Sequence, residues 1–362
     1  MMMREKLHAL FRDQIEQKEC FGGAAAVIKN GEVTFNESFG DERFNENSLY
    51  RLASVTKIIT AAAVLKLHED EKLSIYDKVS KYLPQYARLS LGAIAPNGMT
   101  YSMSMPRREI TVFDLLTHTA GLGADELGNR EYAVMPTEEK VSLERVCDYY
   151  GKNFHLAFEP GERAAYSGFA GFDVLARIVE IVTGKRFNSY LQEAICAPLS
   201  MSDTTFVPTS QQYERIVPMH KRVRGEDIEV DFKGSLYRGL PVSYEAAGAS
   251  LVSSMSDMIK FCKALLSGGL LRDETVVLMF APALENGLCG LPKGENIGLG
   301  CFNISGEHRL PRGIVYSHGA YGTHVLFDKS KGFAAIFLKN SMFDMAINSH
   351  STVEFEKAVL DR

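Results

Sequence analysis

The sequence contains no tryptophan, no long uninterrupted apolar run and no excess of basic residues. Its 40 Lys and Arg residues are outnumbered by 45 Asp and Glu residues, which gives a formal net charge of −5. Phosphates are held chiefly by Lys and Arg, so this balance argues against a nucleic-acid-binding protein. A bilayer-spanning helix needs about 20 consecutive apolar residues, so the sequence predicts no membrane-spanning segment.

The cysteines and the first residues of the chain lack the marks of a secreted protein. No C-x-x-C spacing occurs. Charged residues spread over positions 4–19 leave no apolar stretch of the kind that a secretory signal contains. We therefore expect free thiols in a reducing compartment, and the cytoplasm is the expected location. The six cysteines are Cys20, Cys147, Cys196, Cys262, Cys289 and Cys301.

Several catalytic motifs are also missing from the sequence. The nine histidines show no H-E-x-x-H spacing, and no glycine-rich phosphate loop or dinucleotide-binding motif is present. We accordingly expect neither a metal nor another cofactor, and the expected partner is a small-molecule substrate. The G-x-S-x-G sequence is absent as well, which argues against the α/β-hydrolase fold. The sequence leaves the oligomeric state open.

The pattern of apolar residues changes along the chain. Residues 4–18 and 55–68 place apolar side chains at helical spacing, and Asn30-Gly31 is typical of a tight turn between two strands. The middle of the chain is predicted to be mostly helical. The last third is predicted to contain four strands followed by a helix, at 297–304, 313–317, 323–327, 333–338 and 343–360.

These elements predict an α+β fold. The connections between the late strands are too short for parallel crossovers, so the sheet is expected to be antiparallel, with helices from both ends of the chain flanking it. Residues 1–52 and 246–362 are predicted to form this sheet domain, and 53–245 a mostly helical inserted domain. A functional site is expected in the cleft between the two.

The segment Ser54-Val55-Thr56-Lys57 is the first candidate for chemistry. At the start of a helix, Ser54 and Lys57 lie one turn apart on the same face. The helix N-terminus favours negative charge on the serine oxygen, and a nearby amine can take or hold its proton. This is the S-x-x-K arrangement. Taken alone the motif also fits an ordinary N-cap serine followed by a surface lysine.

Two further segments strengthen this hypothesis. Tyr166-Ser167-Gly168 contains a hydroxyl that can act as a base where a cation such as Lys57 lies beside it. His318-Gly319-Ala320 follows a predicted strand, and its small residues allow a substrate to lie against the strand edge. The backbone N–H groups of Ser54 and Tyr321 are candidates for an oxyanion hole. Separately, each segment also fits a purely structural role.

Together the three segments resemble the serine β-lactamase-like hydrolases. Ser54-x-x-Lys57, Tyr166-Ser167 and His318-Gly319-Ala320 occur in the order and approximate spacing of that family, which includes class C β-lactamases, esterases, D-stereospecific peptidases and penicillin-binding proteins. The surrounding sequence is similar as well, at 54–84, 110–122, 158–187, 246–261 and 318–341. The resemblance implies a β-lactamase/penicillin-binding-protein-like fold, with the active site between a mixed domain and a helical domain.

The resemblance also implies roles for individual residues. Ser54 corresponds to the nucleophile, Lys57 to its proton-handling partner, and Tyr166 to the general base that later acts as acid for the leaving group. The N–H groups of Ser54 and Tyr321 correspond to the oxyanion hole. His318, Gly319 and Ala320 are expected to contact the substrate. In this family His118, in the segment Leu115–Leu122, is structural, whereas Ser167 and His324 are expected near the cleft.

Two departures from the family pattern bear on the substrate. Gly168 stands where the β-lactamases carry the Asn of Tyr-x-Asn, which binds the substrate's acylamino side chain. His318-Gly319 replaces Lys-Thr or Lys-Ser, whose cation and hydroxyl hold a substrate carboxylate. Each lost charge-assisted hydrogen bond costs about 1.5–3 kcal/mol. We therefore expect an esterase-type hydrolase for a small ester or amide, in which His318 hydrogen-bonds Tyr166 or the substrate.

Other functions stay open at this point. Within the same fold, the chain is alternatively a β-lactamase, a D-amino-acid peptidase or amidase, or an acyltransferase in which an alcohol or amine replaces water. A non-catalytic binding or sensor protein with this fold is the alternative of another class. The presence of Ser54, Lys57 and Tyr166 argues against that last reading, because a chain that has lost catalysis has no need of all three.

Overall fold

The computed structural model describes residues 2–224, 226–230, 244–284, 290–343 and 349–360. The described α-helices are α1 Met3–Glu16, α2 Thr56–Glu69, α3 Val112–Leu116, α4 Asp125–Val134, α5 Leu143–Asn153, α6 Ala170–Thr183, α7 Phe187–Leu191, α8 Ser210–Glu214, α9 Met255–Ser267, α10 Asp273–Phe280 and α11 His350–Val359. The described strands are β1 Gly22–Lys29, β2 Glu32–Gly40, β3 Leu49–Arg51, β4 Gly92–Ile94, β5 Thr100–Ser102, β6 Met219–Val223, β7 Glu226–Val230, β8 Val252–Ser254, β9 Glu295–Ile297, β10 Phe302–Ile304, β11 Val315–Gly319, β12 Thr323–Asp328 and β13 Phe333–Lys339.

Seven of these strands form one sheet, in the order β2-β1-β13-β12-β11-β10-β9. Every neighbouring pair in it is antiparallel, as the short connections predict. Strand β1, from early in the chain, pairs with β13, so both ends of the sequence build the same sheet. Strands β11 and β12 pair His318 with His324 and Gly319 with Thr323.

Helices cover both faces of this sheet. Because successive strand residues point to opposite faces, Ala25 and Val27 pack with Phe11 of α1 and Phe355 of α11. Alternate residues of the same strand, such as Ala26, pack into the larger core that includes α2, α6 and α9. Helix α2 is buried along most of its length. Its first turn, at the N-terminus, is held between the sheet and the helical part of the chain.

The predicted fold class is confirmed, and three element boundaries are corrected. Residues 297–304 form two strands rather than one, because Gly300 adopts a left-handed φ of +77° in the turn between β9 and β10. The last helix begins at His350, where Ser349 caps it, and Phe343 lies before it. The sequence also predicts Ser256 as the cap of α9, but the structure shows Ser254 in that place. The domain boundaries at 1–52, 53–245 and 246–362 stay a prediction.

Some earlier expectations lie outside the described residues. Cys289 falls in the segment 285–289. The segment 205–245, whose Gly, Pro and polar residues predict loops with short elements, includes 225 and 231–243. The five cysteines that are described are buried free thiols, as predicted. Among the helices of the described ranges, none combines the length and apolar character needed to cross a membrane.

Candidate active site

Ser54 lies in a single 3₁₀ turn, Ala53–Val55, immediately before α2. Ala53 adopts a left-handed φ of +46°, an uncommon conformation for a residue with a side chain. The turn is anchored from outside, because Leu52 donates its N–H to the Leu251 carbonyl and accepts a 2.7 Å hydrogen bond from the Thr323 hydroxyl. Ser54 therefore sits on a constrained backbone between the sheet and α2.

Lys57 lies one turn after Ser54 and is only 3% exposed. Its ammonium group donates to the carbonyls of Gly168 and Gly248, both at 2.8 Å, and to Ser54 Oγ at 3.4 Å. A buried ammonium has three N–H donors to satisfy, and these three acceptors match that number. The two carbonyls therefore orient Lys57 towards the serine.

Tyr166 completes the group of three. Its hydroxyl donates to Ser54 Oγ at 2.5 Å, and Lys57 Nζ lies 4.8 Å from the centre of its ring. The tyrosine side is open to the cleft, since Tyr166 is 45% exposed, whereas Lys57 is enclosed. The structure thus brings the three predicted catalytic residues together, with Ser54 Oγ in hydrogen-bonding reach of both partners.

His118 lies under this group and is fully buried. Its ring centre is 4.7 Å from that of Tyr166, and its Nδ1 accepts a hydrogen bond from the Ser167 N–H at 3.1 Å. Burial, reinforced by the positive charge of Lys57, lowers the pKa of His118 to about 3, so the imidazole is neutral at ordinary pH. It supports the ring and backbone around Tyr166 and also lines the cleft.

A cleft of about 330 Å³ opens beside Ser54. Its surface is mainly apolar and aromatic, with a few polar groups, as is usual for small-molecule sites. The lining residues are Ser54, His118, Ala164, Tyr166, Gly290, Leu291, Pro292, Glu295, Ile297, Phe302, Tyr316, His318 and Ala320. Sequence reasoning missed some of these lining residues. Glu295, Phe302 and Tyr316 belong to no motif, so nothing in the sequence pattern pointed to them.

Only part of the third predicted segment, His318-Gly319-Ala320, lies at the cleft. His318 and Ala320 line the cleft, whereas Gly319 packs against Leu52 and Thr323. A Cβ atom at Gly319 would collide with the Thr323 hydroxyl and the Leu52 carbonyl. Glycine is therefore needed here so that β11 can approach the Ser54 turn closely. The oxyanion hole formed by the N–H groups of Ser54 and Tyr321 stays a prediction.

Ser167 and His324, expected near the cleft, both lie behind it. Ser167 is 3% exposed, and its Oγ accepts a hydrogen bond from the Gly171 N–H. His324 is fully buried, with its ring 5.6 Å from that of His318 and its Nε2 3.2 Å from Glu356 Oε1. Arg309 holds the same Glu356 carboxylate through two hydrogen bonds. Neither Ser167 nor His324 is among the described residues that line the cleft.

Comparisons with known proteins agree with this fold. The family model described as Beta-lactamase matches residues 7–353. The chain is 27% identical over 399 residues to esterase EstB of Burkholderia gladioli, covering 99% of this chain and 95% of that protein. It is 26% identical over 322 residues to the D-alanyl-D-alanine-carboxypeptidase/endopeptidase AmpH of Escherichia coli K12, covering 84% and 75% of the two chains.

A solved structure shows the same fold. The hydrolase EstCE1, described as having promiscuous acyltransferase activity, superimposes with a TM-score of 0.82 at 20% identity, over 99% of this chain and 98% of that one. The fold and the Ser-Lys-Tyr group define a β-lactamase-like protein of the penicillin-binding-protein type. The chain belongs to the Beta-lactamase family, whose members similar to it include hydrolases, an esterase among them.

Proposed function

We propose that this protein is a serine hydrolase that forms an acyl-Ser54 intermediate on small esters or amides, with esters as the main substrates. The observation that carries the proposal is the convergence on Ser54 Oγ of the Tyr166 hydroxyl, at 2.5 Å, and of Lys57 Nζ, at 3.4 Å. A serine hydroxyl is a weak nucleophile until a neighbouring group removes its proton. These two neighbours supply that group and a compensating positive charge.

In the proposed reaction, Tyr166 takes the Ser54 proton while Ser54 Oγ attacks the carbonyl carbon. The ammonium of Lys57 favours the negative form of Tyr166 and donates to the serine oxygen. Tyr166 then gives the proton to the leaving alcohol or amine as its bond to the acyl group breaks. Water then attacks the acyl carbon and gives one proton to Tyr166. As the bond between the acyl group and Ser54 Oγ breaks, Tyr166 returns this proton to Ser54 Oγ and the acid is released.

The surroundings of the group favour esters over β-lactams. His318 stands at the position where the β-lactamases carry a lysine, so the family's fixed cation for a substrate carboxylate is missing there. A Cβ at Gly168 would meet open space, so the position lacks a side chain able to hold an acylamino group. Ile297 and Phe302 instead offer apolar surface suited to a short acyl or alcohol group.

The test compares wild type with Ser54→Ala on p-nitrophenyl butyrate and on a chromogenic cephalosporin. We expect ester turnover that falls at least 10³-fold in the variant, and little cephalosporin turnover. Ser250→Ala is a matched control, because this serine lies on another segment and its hydroxyl bonds only the Ala246 carbonyl. Fast, Ser54-dependent cephalosporin turnover would make the protein a β-lactamase instead. Turnover of neither substrate by wild type would favour the peptidase and binding-protein alternatives.

An acyltransferase activity of the same intermediate is the second candidate. The observation that favours it is the exposure of Tyr166, which leaves its hydroxyl open to an incoming alcohol as well as to water. Adding a primary alcohol during p-nitrophenyl butyrate turnover tests this candidate. Formation of the new butyrate ester at the expense of free butyrate supports transfer, whereas butyrate alone restricts the protein to hydrolysis.

A further inference from the structure

One wall of the cleft is built from a row of aromatic rings. The ring of Phe302 lies 6.4 Å from that of Tyr166, and the ring of Tyr316 lies 5.3 Å from that of Phe302. The interplanar angles are only 29° and 18°, so the three rings form a nearly continuous stack that leads away from Ser54. All three residues line the cleft. We call Tyr166, Phe302 and Tyr316 the aromatic row.

A carboxylate lies next to the third ring of the aromatic row. Glu295, at the start of β9, lines the same cleft, and its carboxylate, together with the larger effect of burial, raises the pKa of the Tyr316 hydroxyl. Its side chain is only 5% exposed, although the mechanism proposed for Ser54 gives it no task. Carboxylates this well buried are seldom left without a cationic partner, because removal from water is costly.

The neighbour of Glu295 on the other side is His308. Nε2 of His308 lies 3.3 Å from Glu295 Oε1 and 3.2 Å from a guanidinium nitrogen of Arg309, and Nδ1 accepts the Leu310 N–H. Burial and the nearby Arg309 lower the pKa of His308, so the imidazole offers Glu295 no positive charge at pH 7. Arg309 itself holds Glu356 through two hydrogen bonds. Within the described ranges, Glu295 therefore has the neutral neighbours Tyr316 and His308, and no lysine or arginine lies within ion-pair distance of it, although Arg309 contacts His308.

We propose that the cleft takes ester or amide substrates that carry an ammonium group, which lies along the aromatic row and pairs with Glu295. A carboxylate has about four lone-pair positions, so Glu295 can accept from an ammonium beside its neutral neighbours, and the aromatic row offers apolar surface to the rest of the substrate. In this arrangement the substrate supplies the positive charge that Glu295 lacks. The inference rests on the proposed hydrolase function, and it adds the class of substrate to it.

Two pairs of esters of matched shape test the preference. On the acyl side, p-nitrophenyl 6-aminohexanoate is compared with p-nitrophenyl heptanoate; on the alcohol side, choline butyrate is compared with 3,3-dimethylbutyl butyrate. Within each pair the shapes are alike and only the charge differs. We expect kcat/KM in wild type to favour the cationic member of at least one pair by about tenfold or more. Wild-type ratios at or below one for both pairs would overturn the inference.

Glu295→Gln is the variant that assigns the preference to this carboxylate. It removes the charge while keeping a similar shape, and we expect it to lower the cationic-to-neutral ratio about tenfold. Glu307→Gln is the control, because Glu307 is 83% exposed and pairs with Lys293 outside the cleft. It should leave the ratio unchanged. A ratio that Glu295→Gln does not alter, in a protein shown to be folded by its thermal unfolding, would also overturn the inference.

The experiments also distinguish failure of the hydrolase proposal from failure of the ammonium preference. If the neutral esters are not hydrolysed, or are hydrolysed equally by Ser54→Ala, the hydrolase proposal fails whatever the ratios are. The ammonium preference is then read from binding, with hexylammonium and hexanol as calorimetric probes of wild type and Glu295→Gln. Tighter binding of hexylammonium that depends on Glu295 supports the cation site, whereas equal binding in both proteins excludes it.

Discussion

The floor of the cleft (Ser54, Lys57 and Tyr166) and its wall (Glu295, Phe302, Tyr316 and His318) are built in different ways. On the floor, Lys57 is enclosed, and its three donors each have a fixed acceptor. The wall is an aromatic surface with a single carboxylate, Glu295, whose described neighbours Tyr316 and His308 are uncharged. The floor is therefore organised before a substrate arrives, which suits catalysis. The wall, in contrast, holds a carboxylate that can still pair with a charged group of the substrate.

Removing the cation from the floor should have the largest effect. Lys57→Met keeps the approximate side-chain volume, and we expect kcat/KM for p-nitrophenyl butyrate to fall at least about 10³-fold. The carbonyls of Gly168 and Gly248 also lose their donor, so urea unfolding should show a loss of about 1–3 kcal/mol for each. Lys66→Met, later on the same helix, is the control and should retain activity. A Lys57→Met protein with near-normal turnover would refute the role of the floor.

Tyr166→Phe should have the next largest effect, because it removes the hydroxyl that touches Ser54 but keeps the ring. We expect kcat to fall about 10²- to 10⁴-fold, the range typical of general acid–base groups. Stability should change little, since the ring contacts with His118 and Phe302 remain. Tyr76→Phe, at an exposed tyrosine outside the cleft, serves as the comparison. If both variants lose activity to the same small extent, Tyr166 is not the proton carrier.

A buried carboxylate beneath the floor links its stability to pH. Asp173 accepts hydrogen bonds from Tyr150, Tyr244 and the Ala247 N–H, next to the Gly248 carbonyl that holds Lys57. Complete burial raises the pKa of Asp173 to about 7, despite these hydrogen bonds.

This raised pKa makes the free energy of unfolding depend on pH. From about pH 4 to 7 the folded protein keeps the Asp173 proton and the unfolded chain loses it, so stability falls as pH rises. The contribution of Asp173 is on the order of 4 kcal/mol across this interval. Asp173→Asn cannot ionise and should flatten this part of the profile, measured by urea unfolding at pH 5 and 7. An unchanged slope would mean that Asp173 is already ionised in the folded protein.

The smallest expected effect comes from changing the charge of the wall. His318→Lys restores the cation that the β-lactamases of this family carry at this position. We expect binding of a cephalosporin carboxylate to improve about ten- to a hundredfold. The pH–rate profile for esters should also change, because an imidazole titrates near neutral pH and an ammonium does not. An unchanged profile would count against a hydrogen bond from His318 to Tyr166 or to the substrate.

The contrast between floor and wall also explains how much the sequence predicts. Ser54 and Lys57 are three positions apart on one helix, so their proximity follows from local geometry alone. Tyr166 comes from a distant segment, and only the family resemblance places it beside Ser54. The antiparallel sheet follows from short connections between strands, whereas the turn that divides 297–304 depends on the packing of Gly300 against α2.

Most of the wall could not be predicted, because Glu295, Phe302 and Tyr316, unlike His318, belong to no motif. Glu295, Phe302 and Tyr316 meet only after β9, β10 and β11 pair. Likewise, the contact between His118 and Tyr166 requires α3 to end beneath the Tyr166 segment. The family comparison interprets Gly319 as the loss of the hydroxyl of a Thr or Ser. The structure shows in addition that a side chain at this position would collide with Leu52 and Thr323. Non-local pairing, rather than sequence spacing, determines these positions.

The central claim, an acyl intermediate on Ser54, is tested most directly by intact-protein mass spectrometry. Acid quenching during turnover of p-nitrophenyl butyrate should trap a fraction of the protein with the mass of one added butyryl group. Peptide mapping should place that group on Ser54, and Ser54→Ala should show no adduct. A butyryl group on another residue, or rapid ester turnover that persists in Ser54→Ala without any adduct, would contradict the account.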